Sequence, residues 1–91
     1  MVNVVYDAEP LMTVTVLLFA SYADALGAAS LDVELPREAT VRDLVAAVRA
    51  RPGAEHLPSS PLVAVNLEYA NADCVVRDGD EVALIPPVAG G

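Results

Sequence analysis

The chain has 91 residues, of which 55% are hydrophobic, so it is long enough for one domain and too apolar to stay disordered. Thirteen acidic residues oppose five arginines, there is no lysine, and the formal net charge is −8. This charge disfavours nucleic acid and anionic membranes as partners and favours the basic surface of another protein.

The first predicted elements are a strand over Thr13–Ala20 and a short helix after it. Apolar residues alternate along the strand, as expected when one face is buried. Ser21 lies where it can cap the helix, and Gly27 suits the left-handed residue that ends one. The inward positions of the strand are Val14, Val16 and Leu18, and Phe19 lies on the outward face.

A second strand and the clearest helix follow. Leu31–Leu35 alternates aliphatic with acidic residues, which is typical of a half-buried strand. Thr40 and Asp43 form a capping-box pattern at the start of the helix, and Pro52 with Gly53 ends it. The apolar positions of this helix share one face: Val41, Leu44, Val45 and Val48.

The rest of the chain is predicted to form three more strands. These are Leu62–Leu67, Asp73–Val76 and Glu81–Ile85, separated by a turn region at 68–72 and a tight turn at 77–80. Along the last strand Val82 and Leu84 face inward and Ile85 faces outward. Pro86 and Pro87 cannot donate backbone hydrogen bonds, so they end the strand.

This order of elements indicates an α+β fold in which one main helix packs across a mixed sheet of about five strands. An amphipathic helix has to cover another apolar surface, and in a chain this short the sheet is the only one available. We divide the chain into an N-terminal extension at 1–11, a domain at 12–85 and a tail at 86–91.

Few side chains look suited to catalysis or metal binding. His56 is the only histidine and lies in a loop rich in proline and serine, where solvation is the default. Cys74 lies in an apolar stretch and is interpreted as a small hydrophobic residue. Asp78, Asp80 and Glu81 are better explained by a tight turn than by a cation site, so we expect no metal.

The C-terminal tail is the stronger candidate for function. Pro86 and Pro87 stiffen its base, and Gly90 and Gly91 have no side chains, so its tip can enter a channel little wider than the backbone. Fully extended, residues 86–91 span roughly 20 Å. Such a tail could deliver the terminal carboxylate of Gly91 into the active site of a partner, with a frayed end as the alternative.

The segment from Asp78 to Gly91, DGDEVALIPPVAGG, resembles the C-terminal signature of the small subunits of molybdopterin synthase. Val14–Leu26 resembles the first strand and short helix of the same family, and the similarity runs from about Met12 to Gly91. The resemblance implies the β-grasp, or ubiquitin-like, fold. Carriers that serve thiamine synthesis and ubiquitin-related modifiers share this fold and the terminal Gly-Gly.

The resemblance also implies a mechanism and partners. An E1-like adenylating enzyme would use ATP to activate the C-terminal carboxylate, here that of Gly91, and a sulfur donor would convert it to a thiocarboxylate. The large catalytic subunit, expected in a heterotetramer with the small one, would use that sulfur to build the dithiolene of molybdopterin. The chain alone would bind no cofactor and would not be an enzyme. The tail residues that would enter the partner are Pro86, Pro87, Val88, Ala89 and Gly90.

An exposed apolar patch is expected to bind the partner. Phe19 and Ile85 are predicted on outward faces that lead toward the tail, and the resemblance adds Tyr69 to them. The alternative is that these residues pack against the first helix or the N-terminal extension.

Three other functions stay open from the sequence. The chain could carry sulfur for thiamine, cysteine or a thiolated transfer RNA, it could be a modifier joined to lysines of other proteins, or it could be a plain interaction module. Without lysine it cannot accept its own tail on a side chain. The N-terminus lacks a basic segment, no apolar run approaches a membrane span, and one cysteine cannot form an internal disulfide, so we expect a cytoplasmic protein.

Overall fold

The computed structural model describes residues 11–86, and these form an α+β fold with a mixed five-stranded sheet, as the sequence predicted. The strands are β1 (Met12–Leu18), β2 (Ser30–Leu35), β3 (Leu62–Val65), β4 (Glu68–Tyr69) and β5 (Glu81–Ile85). The helices are α1 (Ala20–Leu26) and α2 (Val41–Arg49), followed by a turn of 3-10 helix at Ala54–His56. Within residues 11–86, no helix has the length and apolar character that crossing a bilayer requires.

The last strand of the chain lies in the middle of the sheet. The order across the sheet is β2-β1-β5-β3-β4. β1 and β5 run parallel, and each of the other neighbouring pairs is antiparallel. The chain therefore leaves the domain from the centre of the sheet, with β1 on one side and β3 on the other.

One face of the sheet and the apolar stripe of α2 form the core. The inward residues predicted on β1 and β5 are buried, and so is the predicted stripe of α2. Burying each of these aliphatic side chains contributes about 1.5–3 kcal/mol, which makes the strand and helix periodicities decisive for the fold. The most deeply buried of them include Val14, Val16, Leu44, Val48, Val82 and Leu84.

The start of α2 has the predicted capping box. The Thr40 hydroxyl accepts a hydrogen bond from the backbone N–H of Asp43 at 3.3 Å, and the Asp43 carboxylate accepts one from the backbone N–H of Thr40 at 2.9 Å. Such a cap contributes about 1 kcal/mol and fixes where the helix begins.

The prediction that Ser21 caps the short helix is wrong. α1 begins at Ala20, its N-cap is Phe19, and no side chain caps it. The backbone carbonyl of Phe19 accepts the hydrogen bond from the N–H of Tyr22 at 3.0 Å. The helix starts early because β1 runs into it almost directly, with Phe19 still in an extended conformation. Gly27 ends the helix with φ of 71°, as predicted.

The predicted strand Leu62–Leu67 is too long, and the predicted turn region at 68–72 contains a short strand. β3 ends at Val65 because Asn66 and Leu67 both have positive φ, 50° and 75°. Two consecutive left-handed residues make the tight turn of a two-residue hairpin, which pairs β3 with β4. The second residue of such a turn is usually glycine. Because Leu67 occupies that position here, the sequence does not reveal the turn.

No strand forms at Asp73–Val76, where one was predicted. A single isolated bridge joins Thr40 and Val75. The backbone of this segment instead serves the start of α2, since the carbonyl of Cys74 accepts from the N–H of Val41 at 2.8 Å. The first turn of a helix has N–H groups without internal partners, and this segment supplies an acceptor.

The backbone of α1 lies close to the residue that precedes the 3-10 turn. Gly53, just before that turn, has φ of 91°, and a Cβ there would lie 2.5 Å from the carbonyl oxygen of Ala25 in α1. Gly27 also has a left-handed φ, but a Cβ there would meet nothing within 4 Å. Among the glycines of residues 11–86, only Gly53 requires both a left-handed backbone and the absence of a side chain.

Gly53→Ala should therefore lower the free energy of unfolding more than Gly27→Ala. The left-handed conformation alone should cost Gly27→Ala about 1–2 kcal/mol, and Gly53→Ala adds the clash with the backbone of α1. Urea denaturation of both variants measures the difference. Equal losses would show that α1 and the 3-10 turn do not approach as closely as described.

Candidate functional site

β5 takes the chain out of the sheet at Ile85. On one side Leu84 pairs with Leu18 of β1, and on the other side Ile85 pairs with Leu62 of β3. Pro86, the last described residue, is half-buried at this edge. The other predicted tail residues lie outside the described residues: Pro87, Val88, Ala89, Gly90 and Gly91.

The three predicted partner residues lie on the face of the sheet that α2 does not cover. Phe19 is 48% exposed, Tyr69 is 75% exposed, and Ile85 is half-buried. Tyr69 pairs with Ala64, which in turn pairs with Ala83, two residues before Ile85. Phe19 follows the end of β1, beside the end of β5. The fold brings the three residues to one apolar surface next to the point where the tail leaves.

Leu62 belongs to the same surface, although the sequence did not single it out. It is 49% exposed and is the direct register partner of Ile85. Val63 beside it is 2% exposed, so the alternation of β3 turns Leu62 outward. That alternation is hard to read because both faces of β3 carry apolar residues. We call this surface the docking face and define it as Leu17, Phe19, Leu62, Tyr69, Ala83 and Ile85.

The other half of the same sheet face is acidic. Asp32 and Glu34 are exposed on β2, and Glu81 is exposed at the start of β5. Asp32 and Glu81 both lie opposite Thr15, whose hydroxyl donates a hydrogen bond to the Asp32 carboxylate at 3.3 Å. The five strands carry no arginine. Along the strands, the surface thus changes from acidic at the far end to apolar at the tail exit.

Comparison with known proteins relates this arrangement to a family. The family model described as the ThiS family matches residues 16–91. The chain is 35% identical over 86 residues to the molybdopterin synthase sulfur carrier subunit of Homo sapiens, an alignment that covers 90% of this chain and 98% of the relative. The chain belongs to the ThiS family.

Solved structures support the same relationship for this ThiS-family chain. SAMP1 from Haloferax volcanii is 33% identical with a TM-score of 0.77, over 87% of this chain and 99% of that one. A chain of the BexX/CysO complex from Amycolatopsis orientalis is 27% identical with a TM-score of 0.65, over 86% of this chain and 99% of that one. The β-grasp fold expected from the resemblance is confirmed.

Among the described residues, Cys74 and the carboxylates considered for catalysis or metal binding do not assemble into a site. Cys74 is half-buried, and its Sγ lies 3.7 Å from the carbonyl oxygen of Val75. His56 ends the 3-10 turn. In residues 11–86 no three His, Cys, Asp or Glu residues are grouped so that they could hold a metal ion.

The carboxylates of the turn before β5 accept hydrogen bonds from neighbouring segments of the fold. Asp78 accepts a hydrogen bond from the backbone N–H of Thr13 at 2.8 Å. Asp80 accepts one from the backbone N–H of Arg77 at 2.8 Å and one from the side-chain amide of Asn66 at 3.0 Å. The tight turn predicted at 77–80 is confirmed, with the backbone N–H of Asp80 donating to the carbonyl of Arg77. These carboxylates tie the start of β5 to β1 and to the β3–β4 hairpin.

Tyr22 is a titratable residue of the core. Its side chain packs into the core at 5% exposure, and its hydroxyl has no hydrogen-bond partner within residues 11–86. Burial raises the pKa of Tyr22 above its ordinary value of 10.0 because it disfavours the phenolate.

Tyr22→Phe should leave the protein as stable as the wild type at neutral pH or make it more stable. The substitution removes a buried hydroxyl that has no partner, so no hydrogen bond is lost. Above pH 10.0 the wild type should lose stability relative to the variant, because its unfolded state releases the tyrosine proton before its folded state does.

Urea denaturation of both proteins at pH 7 and at steps across pH 9 to 11 measures this. A clear loss of stability in Tyr22→Phe at pH 7 would mean that the hydroxyl has a partner.

Proposed function

We propose that this chain is the sulfur carrier subunit of a molybdopterin synthase, and that its C-terminal carboxylate is the group that carries sulfur. One observation carries the proposal: the central strand β5 ends beside the exposed docking face and is followed by the sequence Pro-Pro-Val-Ala-Gly-Gly. An apolar surface on a rigid sheet, with a narrow tail beside it, suits a protein that docks on a partner and inserts its C-terminus into that partner's active site. The family and the human relative support this function.

The first chemical step is activation of the Gly91 carboxylate. A carboxylate is a poor electrophile, so an E1-like partner binds ATP and the carboxylate oxygen attacks its α-phosphorus. An acyl-adenylate forms and pyrophosphate leaves. This chain binds no cofactor in the scheme, since the nucleotide belongs to the partner.

Sulfur then replaces AMP on the acyl carbon. The terminal sulfur of a donor persulfide attacks that carbon and AMP leaves, which joins carrier and donor through an acyl disulfide. A thiol then attacks the donor's sulfur and forms a disulfide with it, and the thiocarboxylate on Gly91 leaves with the electron pair of the broken sulfur–sulfur bond. The thiocarboxylate is a good nucleophile, and the large subunit directs it at the cyclic pterin precursor. All catalytic side chains in this scheme are on the partners, so the small subunit alone is a cosubstrate.

The structure gives the tail a fixed starting point. Pro86 begins it at the edge formed by Ile85 and Leu62, and six extended residues reach roughly 20 Å. The last two residues have no side chains, so the carboxylate can reach the end of a narrow channel. We expect the docking face to hold the large subunit in a heterotetramer of two small and two large subunits.

A second candidate function is protein modification. The likeness to SAMP1, a small archaeal modifier protein, favours it because the fold and the overall length are shared. In that function the activated carbonyl of Gly91 would be attacked by a lysine amine of another protein. A carrier that delivers sulfur to thiamine, cysteine or transfer RNA differs from the first proposal only in the acceptor.

Mass spectrometry of the intact chain distinguishes these functions. After incubation with ATP, the adenylating enzyme and a persulfide donor, a sulfur carrier should gain the mass difference between one sulfur and one oxygen atom. Removing Gly91, or adding one residue after it, should abolish the gain without changing the melting temperature, because both changes lie beyond the sheet.

Cys74→Ser is the matched control and should retain the full mass gain, since the sulfur is carried on the terminal carbonyl. Loss of the gain in a folded Cys74→Ser protein would indicate a persulfide on Cys74 instead. An adduct on lysines of other proteins, without the gain in mass, would favour the modifier.

Charged substitutions on the docking face test the expected binding to the large subunit. Phe19→Asp, Leu62→Asp and Ile85→Asp should each weaken binding by about 2 kcal/mol, as the loss of an interface anchor does. The fold should survive, because none of the three residues faces α2. Calorimetric titration gives the affinity, and circular dichroism gives the melting temperature.

Ala50→Asp at the exposed end of α2 is the control, since it adds the same charge away from the docking face. It should bind normally. If it weakens binding as much as the three variants, net charge rather than the docking face controls the affinity. If the three variants unfold, these residues belong to the core.

A further inference from the structure

A groove lies on the helix-covered side of the molecule, away from the docking face. Its inner part has a volume of about 180 Å³ and an apolar floor that includes Val45 and Val63. Its outer part has a volume of about 290 Å³ and runs along α2. Both parts are lined by Arg42, Ser59 and Ser60, so they form one continuous groove between α2 and the loop that leads into β3.

Hydrogen-bond donors surround the apolar floor. Arg49 donates through Nε to the carbonyl of Leu57 at 3.2 Å, and its two terminal nitrogens have no acceptor within residues 11–86. The side-chain oxygen of Asn71 accepts from the backbone N–H of Asp73 at 3.0 Å, which leaves the amide nitrogen of Asn71 to donate. Two serine hydroxyls complete the lining, so the groove suits a ligand that brings acceptors.

Arg42 is available to such a ligand. Its Nη1 lies 2.9 Å from the carboxylate of Asp73, but the two side chains are 64% and 81% exposed. An ion pair this exposed contributes little, so a second carboxylate can share the guanidinium or replace Asp73 at small cost.

The charge of α2 contrasts with that of the rest of the chain. Arg42 and Arg49 lie on the helix and line the groove, so two of the five arginines of a chain with net charge −8 are at this site. The helix carries one carboxylate, that of Asp43, which is held in the capping box. This local basic strip on an acidic protein is selective, since a polyanion such as nucleic acid would be repelled by the other surfaces.

We propose that this groove binds an extended acidic segment of a partner protein. One aliphatic side chain of the segment would enter the inner part, and a carboxylate would lie between Arg42 and Arg49. A guanidinium–carboxylate contact supplies direction, and the apolar floor supplies burial. Because the groove and the docking face lie on opposite sides of the sheet, both can be occupied at once. The proposal does not depend on the chemistry of the tail.

The probe is a short peptide, blocked at both ends, in which glutamate alternates with valine. Titrated into the isotope-labelled full chain, it should shift the backbone NMR signals of residues 41–49, 59–63 and 70–72. The same peptide with glutamine in place of glutamate should bind at least about tenfold more weakly, because the charge-assisted contacts are lost. Equal binding of the two peptides would overturn the proposal.

Variants locate the site. Arg42→Gln with Arg49→Gln should weaken peptide binding about tenfold or more. Arg37→Gln with Arg77→Gln changes the net charge equally outside the groove and should leave the affinity unchanged. Ala70→Leu fills the inner part without changing charge and should also reduce binding in a protein that circular dichroism shows to be folded. Equal losses in both arginine pairs, or signal shifts on the docking face instead, would contradict the proposed groove.

Discussion

The parallel pairing of β1 and β5 is the constraint on which the rest of the structure depends. It joins residues near the two ends of the chain, and the carboxylate of Asp78 fixes the turn before β5 to the backbone of Thr13. Because β5 is both the last strand and a central one, the chain leaves the domain between two neighbours, beside Leu62. A tail that left from an edge strand would have an exposed sheet edge beside it and only one strand to position it.

The elements with a strong local pattern could be predicted from the sequence, and those defined by their neighbours could not. β1, β2, β5 and α2 have alternation, a helical stripe or a capping box, which are local properties. The segment Asp73–Val76 is apolar enough for a strand, but its backbone serves the start of α2. β4 depends on a turn whose second residue, Leu67, is unusual in that conformation. The lack of a strand at Asp73–Val76 and the presence of β4 both depend on tertiary contacts, which a local sequence pattern does not show.

The residues of the candidate site also divide into those that a local pattern predicts and those that only their neighbours in the fold reveal. The outward facing of Phe19 and Ile85 follows from the alternation of β1 and β5, and the structure places both beside the tail exit. Tyr69 could be named only from resemblance, since no sequence pattern indicates the short strand that holds it. Leu62 was missed because β3 carries apolar residues on both faces, and only its pairing with Ile85 shows which side faces outward. The tail beyond Pro86 lies outside the described residues, so its role stays a prediction from its composition.

The two sides of the sheet differ in the chemistry that they offer to partners. The uncovered side is apolar near the tail and acidic at Asp32, Glu34 and Glu81. A partner that binds there would present an apolar centre with a basic rim around it. The helix-covered side presents the arginines of α2 and would bind an acidic partner. The proposed carrier would pass between an activating enzyme and an acceptor, and a shared surface would force the two to compete. With opposite charges on opposite sides, the proposed groove would let a second protein stay bound while the docking face and the tail are engaged.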